Sequence, residues 1–245
     1  MIPALRSEFR KLITLRSTYV ILGLGLLLVI LMDGWVNGYK HLEGIGSGFL
    51  ARIITSTIQG TSFLLGLLIL LQITQEYRHN TIYHTLTLIR HRKTVVFAKA
   101  IVASLTMLAG AGVFILVGVA CGVAGLAASG EVMGAQSIAW GDIVAKGAMY
   151  IWGAGMFALI LGLLLRNQVS AIVMYLFGVN IAEQLLSLLL KSNAGYLPFR
   201  ALEGVIVQPN MPGLFSPEKS MVIVLAWIVA GGAAAWFFFE RRDAN

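Results

Sequence analysis

The chain has 245 residues, 58% of them hydrophobic and only 12% charged, with a mean hydropathy of +0.84. Soluble domains carry about 25% charged residues, so an ordinary soluble fold is excluded. A net charge of +7 and a pI near 9.8 would suit nucleic acid, but the basic residues gather in patches between apolar runs, a placement that sets membrane topology and gives no nucleic-acid surface.

The first stretch, MIPALRSEFRKLITLRS, carries Leu5, Phe9, Leu12 and Ile13 at i, i+4, i+7 and i+8, with Arg6, Arg10 and Lys11 elsewhere around the wheel. This predicts an amphipathic helix over residues 3–16, lying in the membrane interface as a basic anchor or as an elbow that also contacts a partner. Six apolar runs follow, at 17–36, 53–73, 95–124, 144–165, 169–190 and 221–239. Each is long enough to cross about 30 Å of hydrocarbon. They are continuously apolar and not alternating, so they are helices, because a backbone in lipid must satisfy its hydrogen bonds internally. The reading is an all-α integral membrane fold, one transmembrane domain over 1–245. The first run is a retained helix, since DGWVNGYKH after it offers no small-x-small cleavage site. The third stays apolar to Ala128, an excess that tilt or an outer extension absorbs.

Charge then orients the spans. Arg6, Arg10, Lys11, Arg16, Arg78, Arg90, Arg92, Lys93, Lys99, Arg166, Arg241 and Arg242 fall on one side, and Lys40, Arg52, Lys146, Lys191, Arg200 and Lys219 on the other. The positive-inside rule puts both termini, and the loop between the second and third spans, in the cytoplasm of a cell membrane. That loop, within QEYRHNTIYHTLTLIRHRKTVVFAKA, has Asn80 as a helix N-cap, Ile82, Leu86 and Ile89 on one side with Tyr83 flanking, and Arg90 to Lys93 closing it where the negative helix end favours cations. A short cytoplasmic helix within 77–93 is expected, attracted also to anionic lipid headgroups.

This order of elements resembles the membrane subunit, or permease, of type-two ABC exporters. The specific part is Glu76-Tyr77-Arg78, the Thr-rich stretch 81–88, the basic cluster Arg90, Arg92 and Lys93, and Lys99 at the next span. The segment LIRHRK stands where many members have a Pro-rich or Ser-rich turn. The resemblance implies that the loop holds a coupling helix docking in a groove of a separate ABC ATP-binding subunit, with Glu76, Tyr77, Arg78, Tyr83, Leu86, Ile89, Arg90, Arg92 and Lys93 as the coupling residues. It also implies a second permease copy, identical or not, and an exported substrate such as a drug, a peptide antibiotic or a lipid. ATP and Mg are expected on the partner and no cofactor on this chain. Lys93-Thr94, Lys191-Ser192 and Lys219-Ser220 are its only Lys-Ser/Thr pairs, and none follows a Gly as a phosphate loop requires.

Catalysis by the chain alone is not expected. There is no HExxH zinc motif, His41, His79, His84 and His91 all lie in loops, and the lone Cys121 excludes an intramolecular disulfide and a cysteine metal cluster. Glu183 is the acid read as clearly intramembrane, about 21 Å along the fifth run at 1.5 Å per residue. With Asn180, Gln184 and Ser187 it forms a polar edge, and Thr55, Gln59 and Ser62 form another on the second span. Both edges should face protein or water, as substrate pathway or as interhelical hydrogen bonding. Gly118-x-x-x-Gly122 points to close helix packing within the subunit. Residues 191–219 contain an apolar, helix-capable YLPFRALEGVIVQ broken by Pro209, Pro212 and Gly213, read as an outer interfacial helix or, by the resemblance, as re-entrant half-helices. The alternatives to an ABC permease are a secondary transporter, which should show repeats and broken helices around a midplane ion site, and a non-transporting membrane assembly subunit.

Overall fold

The computed structural model describes residues 2–40, 46, 48–78, 92–135, 138–206 and 213–241. The expected coupling helix, with Tyr83, Leu86, Ile89 and Arg90, lies outside the described residues, as do the side chains of Arg92, Lys93 and Asn180. Every described element is helical. α1 is Ile2–Thr14 and α2 is Arg16–Val29, which runs on without a break into wide π turns over Ile30–Tyr39. α3 spans Phe49–Arg78, α4 Arg92–Ala128 and α5 Trp140–Leu165. α6, Gln168–Val173, widens into π turns at Met174–Ala182 and resumes as α7, Glu183–Leu190. A 3-10 turn, Lys191–Tyr196, leads to the short α8, Pro198–Ile206, and α9 closes the chain at Pro217–Arg241.

Among the described residues five helices are long and apolar enough to cross a membrane, and six if the 41° bent pair 168–196 counts as one span. The chain is a multi-pass helical membrane protein, and its spans fall where the apolar runs are. They are longer, however: α3 continues past residue 73 to Arg78, and α4 runs 37 residues, about 55 Å at 1.5 Å per residue. The stretch Glu76-Tyr77-Arg78, expected in a loop, is the last turn of α3.

α3 is the axis of the bundle. Two thirds of its most apolar window is buried within the subunit, against 22% for the first and last spans. Its core is Ile54, Ile58, Leu65, Leu68, Ile69 and Ile73, packed on Met107 and Phe114 of α4 and on Ile151, Leu159 and Leu163 of α5. The wide-turned end of α2 lies on α4 through small residues. A Cβ on Gly38 would come within 2.6 Å of the Gly122 carbonyl, and one on Gly125 would collide with the Gly34 carbonyl. The Gly118 and Gly122 spacing therefore serves close approach of two helices of one subunit.

α1 packs one face on the bundle. Its buried line is Ala4, Glu8 and Leu12, while Phe9 and Ile13 stay half exposed. Glu8 lies on the buried line with Lys11 and Lys99 beside it, partners without which its charge would be buried uncompensated.

Candidate functional site

The last turn of α3 is a hub with three consecutive side chains pointing to three parts of the bundle. Glu76 is buried and faces α1 and α4. Its Oε1 accepts from Lys11 Nζ at 2.9 Å and from Lys99 Nζ. Lys99 also donates to Glu8 Oε2 at 3.1 Å, and Lys11 to Glu8 Oε1 at 2.7 Å. Two carboxylates and two ammonium groups thus share one site, with Lys99, Glu8 and Glu76 almost wholly withdrawn from solvent. Isolated charges would be expensive here, and only complete mutual pairing makes such a cluster tolerable. Two amides extend it: Gln72 Nε2 donates to the Glu8 carbonyl at 3.3 Å, and Gln75 Nε2 to Ser17 Oγ at 3.3 Å.

Tyr77 turns to the opposite side. The Arg166 guanidinium stacks 5.6 Å from its ring and 5.8 Å from that of Phe239, and donates to the Phe238 carbonyl at 3.3 Å. Arg166 holds this place because it ends α5 in the left-handed region, φ 50°, which swings the chain into α6. Arg78, exposed, donates through Nη1 to Gln168 Oε1 at 3.2 Å, reaching the first turn of α6. One tripeptide therefore ties α3 to α1, α4, the α5–α6 turn, α6 and the end of α9. It sits where the chain leaves α3 for residues 79–91 and returns in α4.

Glu8 is the residue that sequence reasoning missed. Its signal was available: it is the only acid among four basic residues of the first 16, on the same membrane side as the lone lysine of the third span.

A third buried acid, Asp33, lies near the other end of the first span, so Glu183 is not the one acid within the spans. Asp33 Oδ2 accepts from Thr57 Oγ1 at 2.5 Å, and its Oδ1 from Ser56 Oγ at 3.0 Å and from Asn37 Nδ2 at 3.1 Å. Gly118 makes room for it. The helix runs past the expected span end at residue 36 to Tyr39, so Asp33 lies within it.

The predicted polar edges divide. Ser62 is buried, and Thr55 and Gln59 are half buried, so the α3 edge faces protein. On the fifth run Glu183 is buried, Ser187 half buried and Gln184 exposed. Within α7 the edge divides because Glu183 and Gln184, adjacent residues about 100° apart around the helix, point to different sides. Glu183 caps α8: Oε1 and Oε2 accept from the Phe199 amide at 3.1 Å, and Oε2 from the Arg200 amide at 3.0 Å. Free amides and the positive helix end make that a stabilising place for a carboxylate. Ser187 accepts from Arg200 Nη2 at 3.3 Å.

Residues 26–244 match the model of a family described as protein of unknown function, DUF2705. A comparison with curated proteins finds no match.

Proposed function

We propose that the chain, which belongs to the DUF2705 family, is the membrane subunit of an ATP-driven ABC exporter that couples to a separate ATP-binding subunit through residues 79–91. The observation that carries this reading is the Glu8–Lys11–Glu76–Lys99 cluster. A loop that receives force from a partner needs both its ends tied to elements that move together. Here the helix before the loop, the helix after it and the N-terminal helix are joined by buried ion pairs, while Tyr77 and Arg78 link the same turn to α6 and α9. Glu76 then acts by positioning the loop, and the contact with the partner falls to Tyr83, Leu86 and Ile89, with Arg90, Arg92 and Lys93 at headgroups or at an acidic rim.

In this reading α1 lies in the interface, both termini are cytoplasmic, and α8 with its Glu183 cap belongs to the exit side. A second permease copy completes the pathway. The exported substrate is of a class such as a drug, a peptide antibiotic or a lipid. The nucleotide and Mg belong to the partner.

A specific observation favours a second reading, a secondary transporter. Asp33 sits in wide helical turns with Ser56, Thr57 and Asn37, and the fifth span is bent, features that ion-coupled transporters place around their sites. Purification of the tagged chain from its native membrane separates the two. The exporter reading expects a stoichiometric ATPase subunit and vanadate-sensitive ATP hydrolysis. A chain that purifies without an ATPase and drives uptake or efflux from an ion gradient alone contradicts it.

A further inference from the structure

Phe9 and Ile13, the apolar pair that α1 leaves half exposed, form the rim of a cleft of about 500 Å³. Leu12 closes its end, Leu65 and Leu68 of α3 form its floor, and α2 and α4 its walls. The lining is almost wholly apolar, Thr18 and Thr106 being its polar members. Along α2 the cleft runs from Thr18 to Leu26 and along α4 from Leu105 to Phe114, about 12–14 Å at 1.5 Å per residue. That is close to the depth of one leaflet, half of a hydrocarbon core about 30 Å thick.

The cleft is bounded by helices at its two ends and open along its side. At its deep end α2 meets α4, where a Cβ on Gly25 would lie 2.7 Å from Phe114 Cζ, and the glycine contacts of Gly34 and Gly38 with Gly122 and Gly125 seal the helices beyond. At the other end α1 crosses it. A transmembrane helix of another copy needs the full membrane thickness, so it cannot seat in a slot one leaflet deep. An acyl chain can. The rim supplies the charge for its headgroup: Arg6, Arg10 and Arg16 are exposed on or beside α1, whereas the one acid of that helix, Glu8, is turned inward into the ion cluster.

We infer that this cleft is a binding site for a single anionic phospholipid, one acyl chain lying between α2 and α4 and the phosphate held by the arginines around α1. It goes beyond the exporter reading and shares with it only the interfacial seat of α1. Bound there, the lipid would cover the face of α1 away from the Glu8 cluster and hold the helix against α3.

The test uses the full chain reconstituted in vesicles of equimolar phosphatidylglycerol and phosphatidylcholine, with a trace of either lipid bearing a photoreactive group on its acyl chain. The wild type is expected to label at Leu65, Leu105 or Ala109, with phosphatidylglycerol preferred roughly thirtyfold, the scale of two arginines near an anionic headgroup. Ala109→Trp fills the cleft from an exposed position and should abolish that labelling. Arg10→Gln/Arg16→Gln should keep it and bring the two lipids to near parity, and this pair decides the matter if Ala109→Trp does not insert. Equal labelling by both lipids in the wild type, labelling indifferent to Ala109→Trp, or crosslinks from the cleft to a second copy would overturn the proposal. A spin label at Ser7→Cys reads the depth of α1 separately. A label in bulk water would remove the interfacial seat and the lipid site together, while a label at headgroup depth with an indifferent Ala109→Trp would remove the lipid site alone.

Discussion

At Glu76 the chain places a carboxylate where removal of any partner leaves a charge buried without compensation. Breaking a buried pair by deleting one member costs about 3–5 kcal/mol, far more than the pair contributes against an apolar replacement. Lys99→Met should therefore destabilise the folded subunit by roughly that amount. Lys99→Met/Glu76→Leu, which leaves Glu8 with Lys11, should recover most of it. Denaturant unfolding in detergent micelles measures both, and a double variant no more stable than the single one would remove the coupling argued for the cluster. The same reasoning covers Glu8, which the wheel of α1 concealed. The apolar stripe of Leu5, Phe9, Leu12 and Ile13 speaks of hydropathy alone, whereas Glu8 pairs with Lys99 and Lys11 with Glu76, contacts no local pattern contains.

At the scale of elements, the spans were legible because apolar length alone defines them. Their junctions were not. The π turns at Ile30–Tyr39 and Met174–Ala182 have no marker in composition, and the buried Asp33 lies within the first of them. The glycines show the difference plainly. Gly112 of α4 has nothing within 4 Å of a built Cβ, whereas at Gly118 the Cβ would lie 2.6 Å from Thr57 Oγ1 and 2.8 Å from Asp33 Oδ2. Gly118→Ala is expected to cost about 1–3 kcal/mol through overpacking, and Gly112→Ala to be neutral or to stabilise by up to about 1 kcal/mol. Thermal unfolding of the two variants distinguishes them, and equal effects would deny that Gly118 is a contact position. For α8 the expectation concerns its cap. Glu183→Ala leaves the Phe199 and Arg200 amides without their acceptor, a loss of about 1–3 kcal/mol, which should raise hydrogen exchange across Pro198–Ile206. Glu183→Gln keeps an acceptor oxygen and should change exchange much less. Transport that fails in Glu183→Gln while exchange stays normal would instead place the charge itself on a substrate pathway.

For the whole molecule, the distribution of arginine and lysine argues that residues near Lys40 and Glu131 lie outside and those near Arg92 and Arg166 inside. Single-cysteine labelling with an impermeant reagent in a Cys121→Ala background checks this. Position 92 should react only after the membrane is opened. In the exporter reading residues 79–91 hand force from an ATPase to a bundle tied together at Glu76, Tyr77 and Arg78. Burial of apolar side chains such as Tyr83 and Leu86 in a partner contributes on the order of 1.5–3 kcal/mol each, and exposed ion pairs only about 0–1 kcal/mol. The decisive measurement is substrate-stimulated ATP hydrolysis by the purified complex in Tyr83→Ala/Leu86→Ala beside Arg90→Gln/Arg92→Gln, after orientation of both has been verified by labelling. The apolar pair is expected to lose the ATPase or its stimulation while the basic pair keeps most of it. Full stimulation in the apolar pair, with the basic pair altering only orientation, would make the loop a topology signal and rule out coupling through it.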